Sequence, residues 1–318
     1  MKVESFTFTT HDGENIFVHK WLPEGEVKGT VQIAHGMAEH AARYQPFAEA
    51  LTQAGYRVFA NDHRGHGQTA STQERLGHFA DEDGWMRTIT DMYELTKEIK
   101  REFPDEPIVL FGHSMGSFLA RRYVQLYGEE VQGLILSGTG TDQGFLSFLG
   151  LTLAKLQRRV KGKRARSKLL DRLSFGKFNQ SFQPIRTSFD WLSRDEKEVD
   201  KYIEDPMCGQ IATTQFFCDM IAGVKELDRV EQLRKIPNHL PIYLFSGEKD
   251  PVGAEGKGVK KVAHLLRLAG NMQVNVKIYE EGRHEMLNEM NKAEVYQDVI
   301  AWLDQYLTHE PQEKINEA

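Results

Sequence analysis

The segment Gly112-His113-Ser114-Met115-Gly116 sets a serine between glycines, directly after the apolar run Ile108-Val109-Leu110-Phe111 and before a helical pattern that begins near Ser117. A serine forced onto so sharp a strand-to-helix turn takes a strained backbone conformation, and side chains on its flanks would strike the strand and helix. Its hydroxyl becomes a nucleophile only when a base removes the proton. That base is commonly a histidine, whose tautomer an acid must hold. Two later loops supply both groups. Asp250, in Ser246-Gly247-Glu248-Lys249-Asp250-Pro251-Val252, follows the run Ile242-Tyr243-Leu244-Phe245. His284, in Glu281-Gly282-Arg283-His284-Glu285-Met286, follows the run from Val274 to Tyr279. Of the twelve histidines, it alone falls between the last predicted strand and the final predicted helix. The chemistry such a set performs is attack on an acyl carbonyl, whose oxyanion needs preorganised N–H donors. Met115, after the serine, offers one. Met37, in His35-Gly36-Met37 after the run Val31 to Ala34, offers the second.

These groups need a scaffold that brings three distant loops to one edge. From Phe6 to Leu22 polar and apolar residues alternate around Asp12-Gly13, the pattern of an antiparallel hairpin. Short β-branched or aromatic runs at Val31–Ala34, Tyr56–Ala60, Ile108–Phe111 and Leu134–Leu136 then alternate with helical patterns at Tyr44–Ala54, Trp85–Phe103 and Phe118–Tyr127. Strand and helix alternating in this way predict an α/β protein with a mostly parallel sheet flanked by helices. After Ser137 the rhythm stops for roughly a hundred residues of helical patterning, until Ile242 restores it. The expected organisation is therefore a core from 1–139 and 236–308, a helical cap inserted at 140–235, and a polar tail at 309–318.

Composition sets outer limits. Of 318 residues, 40% are hydrophobic and 27% charged, which excludes a mainly disordered chain. A net charge of -6 gives no global reason to expect a nucleic-acid partner. Two cysteines, Cys208 and Cys218, are too few for a disulfide framework and lack the spacing of a zinc or redox motif. The first residues carry an acid and no apolar run of signal-peptide length, so a cytoplasmic enzyme is expected.

The set His35-Gly36-Met37-Ala38-Glu39-His40 with Arg43-Tyr44, then Asp62-His63-Arg64-Gly65-His66-Gly67, Gly112 to Gly116, Asp250-Pro251-Val252 and His284-Glu285-Met286-Leu287-Asn288-Glu289 resembles the monoacylglycerol lipases and lysophospholipases. The resemblance implies an α/β-hydrolase fold with an eight-stranded sheet and a lid-like cap. It also implies no cofactor, and hydrolysis of a fatty-acyl ester of glycerol or of a lysophospholipid. The triad carries over onto Ser114, Asp250 and His284, and the oxyanion donors onto Met37 and Met115. Two positions depart from the family pattern: Ala38 stands where a glycine is usual, and Thr69 where a serine is usual. The pair His63 and His66 beside Asp62 has the residue types of a zinc site, but the resemblance places it in a structural loop, and no metal is expected.

Within the insertion, Gln143 to Ala154 is apolar and uncharged, and Lys155, Arg158, Arg159, Lys161, Lys163, Arg164, Arg166 and Lys168 follow. An apolar stretch joined to a polybasic one suits peripheral contact with anionic membrane through 143–168, although it is too short to span one. The opposing reading is a core helix followed by a solvated charged loop. Two rival functions are open as well. One is a proline iminopeptidase-like amidase using the same triad, and the other a non-catalytic binding protein on this fold. Because a histidine base must be neutral to act, acylation is expected to fail as pH falls below roughly 6 to 7.

Overall fold

Alternation around Asp12-Gly13 produces the expected hairpin, β1 (Lys2–Thr9) pairing antiparallel with β2 (Asn15–Leu22). The computed structural model describes residues 1–307, so the tail expected at 309–318 lies outside the described residues. Next in the chain are β3 (Gly29–Ala34), α1 (Gln45–Gln53), β4 (Tyr56–Asn61), α2 (Gly84–Glu102), β5 (Ile108–His113), α3 (Met115–Tyr127) and β6 (Gly133–Ser137). Five helices follow without an intervening strand: α4 (Phe145–Lys161), α5 (Lys168–Phe175), α6 (Glu196–Glu204), α7 (Thr214–Leu227) and α8 (Val230–Leu233). Strand rhythm then returns with β7 (Ile242–Gly247), α9 (Lys257–Leu268), β8 (Val274–Tyr279) and α10 (Lys292–Leu307).

The eight strands form one sheet in the order β1-β2-β4-β3-β5-β6-β7-β8, antiparallel at the β1–β2–β4 edge and parallel from β4 to β8. Parallel strands need crossover helices, and those helices cover both faces. The two-residue periodicity of a strand divides its side chains between the two layers. Along β5, Ile108 and Leu110 join the layer packed by Met92 of α2 and Leu119 of α3. Val109 and Phe111 join the opposite layer with Phe47 of α1 and Trp302 of α10. Burial on both faces explains why these strands read as continuous apolar runs.

All the parallel strands point the same way, so the loops after β3, β5, β7 and β8 emerge at one edge of the sheet. Open α/β sheets bind their ligands in that crevice. Among the described residues, no helix is long and apolar enough to cross a membrane.

Helix α4 departs from the reading of a core helix followed by a solvated charged loop. It runs unbroken through the start of the basic run to Lys161, with only Ala154 and Gln157 buried. Phe145, Leu146, Phe148, Leu149, Leu156 and Val160 are exposed, Phe145 and Val160 by 70% and 75%. Its inner face packs on α7.

Phe111 is fully buried beneath the turn that carries Ser114. Phe111→Ala is expected to destabilise the fold by about 3–5 kcal/mol, read as a lowered midpoint in denaturant-induced unfolding.

Candidate active site

Strand β5 ends at His113, and α3 begins at Met115, leaving Ser114 alone to reverse the chain. It does so at φ +51° and ψ −119°, a conformation strained for a residue with a side chain. The strain is held by close packing. A Cβ at Gly112 would lie 2.4 Å from the Gly116 carbonyl oxygen, and one at Gly116 only 2.0 Å from that of Ala34. Neither position has room for alanine. The Ser114 N–H donates to the Ser137 carbonyl oxygen (2.9 Å), and Ser114 itself stays partly exposed at the crevice.

The loops after β7 and β8 bring Asp250 and His284 together. His284 Nδ1 lies 2.9 Å from Asp250 Oδ1, and both side chains are fully buried. Asp250 is saturated by further donors: Ser246 Oγ donates to Oδ2 (2.7 Å) and the Val252 N–H to Oδ1 (2.9 Å). Burial opposes its ionisation, but the His284 imidazole and these hydrogen bonds outweigh it and hold the carboxyl below its usual range. For His284 burial favours the neutral ring, while the Asp250 charge and hydrogen bond, with Glu285 and Glu39 beyond, raise its pKa above the ordinary value. With Nδ1 committed to the carboxylate, Nε2 is the nitrogen left to accept a proton, and it is buried with no hydrogen-bond partner among the described residues.

The two expected oxyanion donors lie at the same edge. Met115 is the first residue of α3, where backbone N–H groups are unsatisfied and the helix dipole is positive. Met37 sits in the loop after β3, and neither N–H takes part in a hydrogen bond among the described residues. In that loop Ala38 adopts φ +56°, the left-handed conformation that the glycine usual there adopts without strain. Its carbonyl oxygen accepts from Tyr202 Oη (2.9 Å) and the Gly209 N–H (2.9 Å), which hold the strained turn. Thr69 keeps the hydroxyl chemistry of the serine it replaces, donating to the Asp62 carbonyl oxygen and accepting from the Phe17 N–H.

The Asp62, His63 and His66 segment is structural in its contacts. Asp62 accepts from the Ala41 and Gln68 N–H groups, and His35 Nε2 accepts from the His63 N–H. Burial, with His66 close by, pushes His63 down to about 3; burial, with His40 adding to it, carries His66 to about 4, so both rings are neutral.

The sequence offers Trp191 only as one of several aromatics of the insertion that could line an acyl channel, and does not single it out. Its ring lies over that of His284 (centroids 5.0 Å), its carbonyl oxygen accepts from the His284 N–H, and the Leu192 carbonyl oxygen accepts from the Glu285 N–H. Phe178 packs edge-on against Trp191 (5.0 Å), and Phe175 is stacked parallel to it at 6.4 Å. Phe216, another aromatic of the insertion, instead packs in the core against Phe79 (4.5 Å). No spacing rule distinguishes these aromatics, because the segment that carries them has no repeating pattern to place them.

A strained serine between β5 and α3, with a buried acid–histidine pair on the loops after β7 and β8 of an eight-stranded mostly parallel sheet, defines an α/β-hydrolase of the serine type. Residues 25–291 match the family described as serine aminopeptidase, S33, and the chain belongs to it. It is 28% identical over 301 residues to the monoglyceride lipase of Homo sapiens, covering 92% of this chain and 88% of that one. It is also 28% identical to the monoacylglycerol lipase of Mycolicibacterium smegmatis, covering 95% and 97%. Among solved structures it is similar to a thermostable carboxyl esterase from Bacillus coagulans in complex with glycerol, with TM-score 0.89, 29% identity and 96% and 99% of the two chains covered. A soluble variant of the Saccharomyces cerevisiae monoglyceride lipase shares the fold, at TM-score 0.76 and 20% identity over 94% of each chain.

Because the His284 pKa is raised, a base at this position loses its lone pair to protonation earlier on acidification than an ordinary histidine. The acid limb of kcat/KM is expected above pH 6.5, the ordinary value. Asp250→Asn is expected to lower kcat by about 10⁴-fold by favouring the wrong imidazole tautomer, measured on any soluble chromogenic ester.

Proposed function

We propose that this ester hydrolase cleaves fatty-acyl esters of small polar alcohols, monoacylglycerols or lysophospholipids, through an acyl-enzyme on Ser114. Ser114 Oγ attacks the ester carbonyl as His284 Nε2 takes its proton, and Asp250 stabilises the imidazolium that forms. The Met37 and Met115 N–H groups receive the oxyanion. Collapse expels the alcohol, which takes the proton from His284. Water, activated by the same base, then releases the fatty acid and restores the serine.

The observation that carries this reading over an aminopeptidase is the state of the acids beside His284. An aminopeptidase needs a carboxylate to hold the substrate's free amine. Here Asp250 is engaged by His284, while Arg43 binds both Glu39 and Glu285. The surface presented to His284 from the inserted segment is instead the aromatic face of Trp191, backed by Phe175 and Phe178, which suits an apolar acyl chain. The complete Ser–His–Asp set argues equally against a binding protein without catalysis.

The helical segment 140–235 serves as a cap on the 1–139 and 236–308 core, and its α4 face serves as a peripheral contact with anionic membrane. Exposed Phe145, Leu146, Phe148 and Leu149 lie on the same helix as exposed Lys155, Arg159 and Lys161. The rest of the basic run is partly engaged: Lys163 and Arg164 pair with Glu82 and Asp81, and Arg166 donates to the Ile211 and Gln73 carbonyl oxygens. Apolar insertion with a few adjacent cations is the composition of an interfacial helix.

Two measurements test these readings. Wild type and Ser114→Ala are compared on p-nitrophenyl esters, monoacylglycerols, lysophosphatidylcholine and amino-acid p-nitroanilides. Ester turnover abolished by the mutation is expected, whereas preferential anilide cleavage points to the aminopeptidase and Ser114-independent turnover rules out the mechanism. Reversing Lys155, Arg159 and Lys161 to glutamate is expected to weaken sedimentation with phosphatidylserine vesicles, by about 1 kcal/mol or more per residue. Unchanged binding would remove the membrane contact.

A further inference from the structure

A group of charges below the triad belongs to no step of the mechanism. Arg43, in the turn after the β3 loop, forms a bidentate pair with Glu285 (2.8 and 2.7 Å) and a third bond to Glu39 Oε2 (2.7 Å). The three side chains are 11%, 7% and 5% exposed. The remaining Glu39 oxygen, Oε1, accepts from the Gly36 N–H (2.5 Å) and from Tyr44 Oη (2.8 Å). Glu285 Oε2 also accepts from Asn288 Nδ2 (2.8 Å), and the Glu285 N–H is held by the Leu192 carbonyl oxygen. The Arg43 guanidinium lies 4.8 Å over the Tyr202 ring, whose hydroxyl donates to Ala38.

Ionic groups this deep persist only when each is paired and hydrogen-bonded, and removing one partner leaves an uncompensated charge. Bonded to both carboxylates, Arg43 ties Glu39 to Glu285. At one end this ionic triad holds the N–H of Gly36, the residue before Met37. At the other it grips the residue that follows His284.

We infer that Glu39, Arg43 and Glu285 are positioning residues that couple the oxyanion loop to the histidine loop, so that the Met37 N–H and His284 Nε2 face Ser114 in one register. The inference rests on the reading of Ser114, His284 and Met37 given above. Two carboxylates and one guanidinium also leave one net negative charge under His284. The titratable groups facing that ring are Asp250 from the loop after β7, Glu285 from its own loop, Glu39 from the loop after β3 and His113 from the end of β5. His113 is held neutral, pushed down to about 4 by burial and by His284. The triad thus adds to Asp250 in favouring the imidazolium that forms when Ser114 gives up its proton.

The two ends of the triad separate in a kinetic experiment on a soluble p-nitrophenyl ester, with kcat, KM and pH profiles measured for each variant. Glu285→Gln removes a charge that raises the His284 pKa, so the acid limb of kcat/KM is expected to move to lower pH, with kcat reduced and KM unchanged. Glu39→Asp keeps the charge but draws the carboxylate back from the Gly36 N–H. Its acid limb is expected to stay in place while kcat falls about 100-fold, the loss that a displacement of about 1 Å carries. Stoichiometric labelling by a fluorophosphonate establishes that each variant retains a folded site. Should Glu285→Gln fail to fold, Arg43→Lys, which keeps the charge and loses the fork, is expected to lower kcat without changing KM. Wild-type kcat and pH limbs in the soluble variants, with Ser114→Ala inactive, would overturn the inference while leaving the catalytic reading intact. Activity retained by Ser114→Ala would overturn the catalytic reading itself.

Discussion

Asp250 and His284 are both fully buried and hydrogen-bonded to each other, and the site depends on that pair. A lone carboxylate in such a place would take up a proton, and a lone imidazole would lose the basicity a general base needs. Each ring or carboxylate is held in its useful state by the other, with Ser246 and the Val252 N–H completing the acid's hydrogen bonds. The arrangement demands that the loops after β7 and β8 meet, and adjacent parallel strands in register from Ile242–Val274 to Gly247–Tyr279 provide this.

The serine is delivered by a different constraint. β5 lies between β3 and β6, and α3 packs so closely on its end that backbone atoms occupy the space a Cβ would need at Gly112 and Gly116. That closeness places the first turn of α3, with its unpaired N–H groups, directly beside Ser114. Strain at Ser114 and the exposure of its hydroxyl are two results of one packing requirement.

The helices between β6 and β7 contribute in two opposite ways. On their inner side Trp191 and Leu192 are part of the site, since their carbonyl oxygens hold the backbone of His284 and Glu285. Tyr202 and Gly209 likewise steady the left-handed Ala38 from this segment. On the outer side, α4 exposes leucines and phenylalanines that a helix buried in the core would cover. One stretch of chain thus ties the loops that carry Met37 and His284 down from above, while its outer surface leaves large apolar side chains exposed.

The sequence by itself determined the sheet, because strands buried on both faces must be apolar throughout and their crossover helices must be amphipathic, a periodic signal at Ile108–Phe111 or Trp85–Phe103. It also marked Ser114, Asp250 and His284, since each sits at a predictable offset from such a strand. What only the tertiary structure decided has no period. Arg43 and Glu285 read as members of two separate motifs with nothing to link them; their pairing across 242 residues follows from the docking of two loops. Trp191 is one aromatic among several in a segment without strands, and only packing sets it on His284 while Phe216 goes to the core. Local pattern encodes which face a residue turns to the core. Which distant residue meets it there is set by how the elements close upon one another.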